Sequence, residues 1–449
     1  MSFPRYEKYK DSGVEWSGQV PEHWEVWKLS NVVRQIGSGT TPNSGNTKYY
    51  EDGEIAWLNT GDLNDGELFD CLKRVTDLAV ADHSSLKIYP SGSTVIAMYG
   101  ATIGKLAVLR FPATVNQACC VFSGGSRLIS KFLFYWLLSL REHIVSLATG
   151  GGQPNINQEI LRSLQVVCSD IDEQSVITDF LDRETSKIDA LVAEQEKLIA
   201  LPKEKREAVI THAVTKGLDP TVPMKDSGIE WLGDVPEHWA LTRFRFVAQL
   251  NPSKSETVHL PREAQVTFIP MEAISDDGAL NLAQSRTIAD VISGYTYFRD
   301  GDVTVAKITP CFENGKGAVM RGLVGGIGFG TSELIVVRPI PNIATSDYLY
   351  LVFMSTPFRS LGESFMYGAG GQKRVPDNFV RNFAQAFPSL SEQLTITAFL
   401  ENENRKIDQL VAEAQRAIAL LKERRRALIS AAVTGKVDVR GLVREEVTA

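Results

Sequence analysis

The side chains that could carry covalent or metal chemistry in this chain are few and scattered. Its six histidines (His23, His83, His143, His212, His238, His259) form no HExxH pair and no His-Cys metal spacing. Its five cysteines (Cys71, Cys119, Cys120, Cys168, Cys311) are an odd set without CxxC spacing, the pattern of reduced, mostly buried thiols rather than of disulfides or a zinc site. No GxxxxGK[ST] phosphate loop is present. The residues therefore offer no metal and no active site, and point to binding instead.

Composition bounds the rest. At 449 residues the chain is too long for one core and should divide into two to four folding units. Hydrophobic residues at 43% and charged residues at 22% are ordinary for a folded, water-soluble protein. The apolar run Phe132 to Leu138 is far short of the roughly 20 residues a membrane-spanning helix needs. No membrane is expected, and MSFPRYEKYKDSG has no apolar secretory core, so the expected location is the cytoplasm. The net charge of −7 counts against a nucleic-acid binder, although a local basic face or a basic partner protein can coexist with an acidic whole.

Internal repetition organises the chain. Lys10 to Val26 (KDSGVEWSGQVPEHWEV) and Lys225 to Leu241 (KDSGIEWLGDVPEHWAL) are identical at 12 of 17 positions. Asp172 to Thr215 and Ser391 to Thr434 align without a gap, with 25 of 44 positions identical. Between these motifs the likeness fades: SGSTVIAMYGATIGKLAVL faces DGDVTVAKITPCFENGKGAVM, and GGQPNI faces GGQKRV. Two matched connectors around divergent regions suit a protein that presents two specificities in one frame. The expected division is a repeat motif and domain entry (1–26), a first variable domain (27–168), a long helix (169–217), a linker with the second motif (218–241), a second variable domain (242–388), a second long helix (389–436) and a tail (437–449).

The long motifs read as helix, with Ile177, Leu181, Ile188, Leu191 and Leu198 answered by Ile396, Leu400, Ile407, Leu410, Leu421 and Leu428 at heptad-like steps. About 40 residues make a rod of roughly 60 Å. Neither rod hides its apolar stripe alone, so the two should pair, antiparallel under the pseudo-two-fold symmetry of a tandem repeat. Pro202 predicts a kink or break in the first. The variable regions mix β-type runs (Ser93 to Met98, Leu106 to Leu109, Val303 to Ala306, Glu333 to Val337) with helices near Ser130 to Ala148 and Asp347 to Leu361, separated by turn signals such as NDG and ENGKG. The fold class is thus α/β (mixed α+β): two similar domains joined by two long helices paired as an antiparallel coiled coil.

KDSGxEW leading into VPEHW, the WLNTGDL block, GGGQPNI and a closing EQ…I…FLD…KID…L helix, in this order and duplicated, resemble the specificity subunits of type I restriction-modification enzymes over nearly the whole chain. The resemblance implies that each variable region is a target recognition domain for one half of a split site in double-stranded DNA, and that the helices set the spacing. It also implies docking of two methyltransferase subunits and of restriction (motor) subunits, which would hold S-adenosylmethionine, ATP and Mg; this chain would bind no cofactor and catalyse nothing. A methyltransferase would need an NPPY- or DPPY-like tetrapeptide, whereas Asn251-Pro252 continues into Ser-Lys. Two rivals are a self-contained methyltransferase or nuclease, and a coiled-coil scaffold without DNA specificity.

Base edges are read chiefly by Arg and Lys on guanine and by Asn and Gln on adenine. The candidates are Asn59, Lys105, Asn116, Gln117, Asn155 and Asn157 in the first domain, and Lys307, Lys316, Arg321, Lys373, Arg374 and Asn378 in the second. Each could equally be a phosphate contact or plain surface. Gln153 and Gln372, after paired glycines, could reach a base or merely complete a turn. His23-Trp24 and His238-Trp239 are alike in both copies, which suits packing at a domain edge. The basic cluster Lys422, Arg424, Arg425 and Arg426, with Lys203, Lys205 and Arg206 in the first copy, is open to three readings: phosphate contact, solvated face or docking patch.

Overall fold

The computed structural model describes residues 3–149, 154–369 and 371–442. It divides into two compact units that are not consecutive stretches of chain: residues 1–195 with 416–449, and 196–415. Each long helix therefore contributes its first part to one unit and its last part to the other.

In unit 1 the buried, β-rich run Thr94–Ala97 forms the middle of a five-stranded sheet ordered Gln35–Ser38, Cys119–Ser123, Thr94–Ala97, Leu106–Leu109, Gly66–Leu68, the last pair parallel. A small three-stranded sheet (Thr114–Val115, Ile55–Leu58, Arg74–Val75) adjoins it. The helix Ser130–Ser139 buries Phe132, Leu133 and Trp136. In unit 2 the strands Ala248–Leu250, Leu334–Pro339, Val303–Ala306 and Gly317–Val319 repeat the first four positions of that order, and a second four-stranded sheet is built around Gln265–Ile269 and Ile327–Gly330. The helix expected near 347–361 is two helices, Ser346–Met354 and Thr356–Ser364, separated at Ser355. Likewise Ser130 to Ala148 contains Ser130–Ser139 and Arg141–Ser146.

The strand that follows each VPEHW motif pairs antiparallel with the strand that leads into the next long helix. Glu25–Lys28 lies beside Gln165–Cys168, and Ala240–Arg243 beside Ala384–Phe387. Entry to and exit from each variable domain are thus neighbours.

The long helices span Ile171–Lys216 and Leu390–Val433, 46 and 44 residues, or about 70 and 65 Å at 1.5 Å per residue. The break expected at Pro202 does not occur: its missing N–H removes a single bond from a long ladder, and helix continues on both sides. Within unit 1, Arg183 reaches the carbonyl of Leu442, beyond the end of the second helix, and Asp189 pairs with Arg425 inside it, so advancing along the first helix moves back along the chain of the second. Within unit 2, Arg206 pairs with Asp408 while Gly217 lies against Glu392, giving the same antiparallel sense. Ile177, Leu181 and Ile188 are buried in unit 1, and Ile396, Leu400 and Ile407 in unit 2. The stripe is not buried throughout: Leu191 (45%), Leu198 (52%) and Leu410 (56%) are exposed. Ile177, Leu181 and Ile188 instead join the core of the first variable domain, beside Trp24, Phe132 and Phe180, and Ile396 and Leu400 that of the second, beside Trp239, Phe244 and Tyr348.

Candidate nucleic-acid interface

Two backbone bonds build the same loop frame in both units. In unit 1 the Met98 N–H donates to Ala118 O and the Ile156 N–H to Met98 O, both at 2.8 Å. In unit 2 the Lys307 N–H donates to Glu333 O at 2.9 Å and the Val375 N–H to Lys307 O at 2.8 Å. Asn155 pairs with Thr149 through both backbone groups and bridges to Tyr99; Arg374 pairs with Tyr367 in the same way and bridges to Ile308. Lys105 and Lys316 are equivalent as well, since their carbonyls accept from Ala97 and Ala306 at 2.8 Å. One scaffold thus carries Asn155 in one unit and Arg374 in the other.

Around the unit 1 frame, Asn116 donates from Nδ2 to Asn59 Oδ1 (3.2 Å) and accepts from the Ala118 N–H (3.1 Å). Asn59 begins a capping box with Asp62. Gln117 is exposed, accepts from Thr41 Oγ1 at 2.6 Å and lies beside the Tyr99 phenol, whose pKa burial raises. Lys105 and Asn155 are exposed. Asn157 instead caps the helix Gln158–Ser163 by accepting from Ile160 N at 2.8 Å. Gln153 lies outside the described residues.

In unit 2, Lys307, Lys373 and Arg374 converge on the frame. Arg374 is gripped by Glu333 through Nε (2.9 and 3.2 Å) and Nη2 (2.8 Å), and that guanidinium holds the Glu333 carboxyl below its usual range. Lys373 N–H donates to Thr309 Oγ1 at 2.9 Å, with the Lys373 and Gln372 side chains exposed. Tyr367 (64%) and Phe365 (59%) stand exposed beside them. Lys316 is half-buried at its turn. Arg321 is committed to Asp347 at 2.5 Å, and Asn378 Oδ1 accepts from Asn382 Nδ2 at 2.6 Å, so these two are occupied locally.

The basic cluster is partly spent inside the fold, because Arg425 makes a bidentate pair with Asp189 (2.9 and 3.2 Å) and Arg206 pairs with Asp408. Lys203, Lys205, Lys422, Arg424 and Arg426 are exposed. A cleft recurs at this place: one of about 870 Å³ in unit 1 lined by Asp65, Arg141, Asp189, Lys422 and Arg425, and one of about 530 Å³ in unit 2 lined by Asp277, Arg359, Asp408, Lys203 and Arg206.

The VPEHW motifs are joints. Glu173, buried at the start of the first long helix, accepts from Tyr6 Oη (2.6 Å) and Trp24 Nε1 (3.2 Å) and lies 2.7 Å from His23 Nε2. Glu392 likewise receives Trp239 Nε1 (3.0 Å) and lies 2.9 Å from His238 Nε2. The neighbouring Gln174 holds the Ile129 N–H and the Arg127 and Ser169 carbonyls; Gln393 does the same for Thr345, Ile343 and Pro388. These carboxylates were not among the sequence candidates, although Glu-Gln recurs in both copies together with VPEHW. Glu333 carried no such repeat signal, because its unit 1 counterpart is Ala118.

Comparison with known proteins places this architecture. Residues 21–200 match the family model described as the type I restriction modification DNA specificity domain. The chain is 40% identical over 179 residues to the EcoEI specificity subunit of Escherichia coli, covering 39% of this chain and 30% of that one. It is 44% identical over 162 residues to the EcoAI specificity subunit of Escherichia coli, covering 36% and 27%. The matched segments thus span less than a third of those relatives' own length. A chain solved in work on complex assembly and conformational transition of the type I restriction-modification system shares the fold, with a TM-score of 0.63 at 15% identity over 92% of this chain and 98% of that one. The likeness extends the shared fold over both units. Residues 21–200 thus resemble a type I restriction modification DNA specificity domain. No helix among the described residues is long and apolar enough to cross a membrane.

Proposed function

We propose that this chain is the DNA-reading subunit of a cytoplasmic type I restriction-modification complex. Each unit reads one half of a split site in double-stranded DNA, and the chain brings two methyltransferase subunits and the restriction (motor) subunits to that site. S-adenosylmethionine, ATP and Mg belong to those partners. The base-reading groups are drawn from the loop frame: Lys105, Gln117 and Asn155 in unit 1, and Lys307, Gln372, Lys373 and Arg374 in unit 2. The recurrent clefts, alike where the recognition loops differ, suit a partner that docks once on each unit.

The observation that carries this reading is the loop frame itself. It is built twice from equivalent backbone bonds and bears different side chains at equivalent points. A duplicated structural scaffold has no need of that difference, whereas two half-sites of different sequence require it. The test is a methylation map of a host expressing the chain with its neighbouring methyltransferase, against a control lacking only this chain. A chain-dependent mark in a split motif is expected; methylation unchanged by its removal, with the methyltransferase active, would leave a scaffold role.

A further inference from the structure

The guanidinium of Arg374 is oriented before any DNA arrives. Glu333 occupies the edge formed by Nε and one face of Nη2. A guanidinium carries five N–H donors in a fixed fork, so one Nη1 hydrogen and the remaining Nη2 hydrogen still point together from the end-on edge next to it. That edge matches guanine O6 and N7. Glu333 thus fixes the fork without using it up, and holding it still lowers the ordering cost of a bidentate contact.

The loop geometry presents this edge. Gly368, at φ +138°, lets the chain fold back so closely that a Cβ there would lie 2.5 Å from the Gln372 carbonyl. The return limb then pairs Arg374 with Tyr367 and Ile308, leaving the Arg374 side chain 37% exposed. In unit 1 the equivalent residue, Asn155, is exposed, and Ala118 stands where unit 2 has Glu333, so no carboxylate occupies the equivalent place. An Asn amide offers one donor and one acceptor, the complement of adenine N6 and N7.

We propose that Arg374, braced by Glu333, reads a guanine in the half-site bound by unit 2, and that Asn155 reads an adenine at the corresponding place in the other half-site. This rests on the DNA-reading function above and adds the base identity and the residues that set it.

The experiment measures methylation of duplex oligonucleotides by the complete complex, with each position of the motif varied in turn. Wild type should require guanine at one position of the unit 2 half-site. Arg374→Ala should reduce discrimination there by roughly 10- to 100-fold and leave the unit 1 half-site unchanged. Glu333→Gln should weaken the same position and no other, and Asn155→Ala should relax an adenine in the opposite half. Should Arg374→Ala lose all activity, Arg374→Gln decides the matter, since it should move the preference from guanine towards adenine. A chain-dependent split motif whose guanine requirement survives Arg374→Ala or Arg374→Gln would overturn the assignment while sparing the DNA-reading function. Absence of any chain-dependent motif would overturn both.

Discussion

Trp24 donates its indole N–H to Glu173 at 3.2 Å, across 149 residues of sequence, and Trp239 does the same to Glu392 at 3.0 Å. The two contacts tie the most strongly repeated motif to the start of each long helix. They explain why VPEHW and Glu-Gln recur together while the intervening loops diverge: the same joint closes both variable domains, and the loops between take no part in it. Glu173 also receives Tyr6, which has no counterpart in unit 2, and is buried where Glu392 is part-exposed. Glu173→Ala should therefore cost about 2–4 kcal/mol by stranding several buried donors. Glu392→Ala should cost less. Chemical denaturation of the two variants gives the order, and equal losses would contradict this account of the joint.

Gly435 ends the second long helix at φ +68°, and a Cβ there would overlap the Pro21 ring and approach Trp24. Gly18 has a similar φ of +62° but open space around it. Gly435→Ala should cost about 1–3 kcal/mol more than Gly18→Ala, since both introduce backbone strain and only the first also introduces a clash. Thermal unfolding of the two variants measures the difference.

Much of this architecture is legible in the sequence because it rests on local pattern. The runs at Leu106–Leu109 and Val303–Ala306 are strands, and the heptad-like steps mark both long helices. Periodicity says which face of a helix is apolar but not what covers it, and so Leu191, Leu198 and Leu410 stand exposed on a stripe otherwise buried or part-buried. The site was less legible. Asn and Gln cap helices and bridge loops as readily as they read bases, and Asn59, Asn116 and Asn157 are engaged in that way. The equivalence of Asn155 and Arg374 depends on hydrogen bonds between segments far apart in the chain, which residue spacing does not encode.

Acid should weaken unit 1 through Glu67. The Arg110 guanidinium bonded to its carboxyl, helped by the Lys131 ammonium, holds its pKa at about 2 against an ordinary 4.5. A carboxylate depressed in the folded state stabilises fully above its unfolded value; that contribution falls away as pH drops from about 4.5 towards 2. Glu67→Gln should accordingly unfold with a shallower pH dependence across this window than wild type. Parallel acid titrations followed by circular dichroism test it, and identical slopes would remove Glu67 from the account.

The thiols should divide by burial. Burial pushes Cys119, Cys120 and Cys168 up to about 12, leaving negligible thiolate at neutral pH, whereas Cys311 is only part-buried. Iodoacetamide on the native chain should modify Cys311 first and reach the four buried thiols, Cys71, Cys119, Cys120 and Cys168, only on unfolding. Peptide mapping after a timed reaction reads this directly.

The placement of entry and exit strands bears on how separately the two specificities can change. Ala240–Arg243 and Ala384–Phe387 pair residue for residue, so the chain enters and leaves the second variable domain at one point. Replacing Asn251 to Pro388 by the corresponding segment of another family member leaves the Trp239–Glu392 joint and both long helices untouched. The entry strand keeps its backbone bonds with any exit strand of equal length, because ladder pairing does not depend on side-chain identity. The complex carrying the exchanged chain should therefore methylate a motif changed in one half and intact in the other. A change in both halves would mean that the recognition loops of the two units do not read independently.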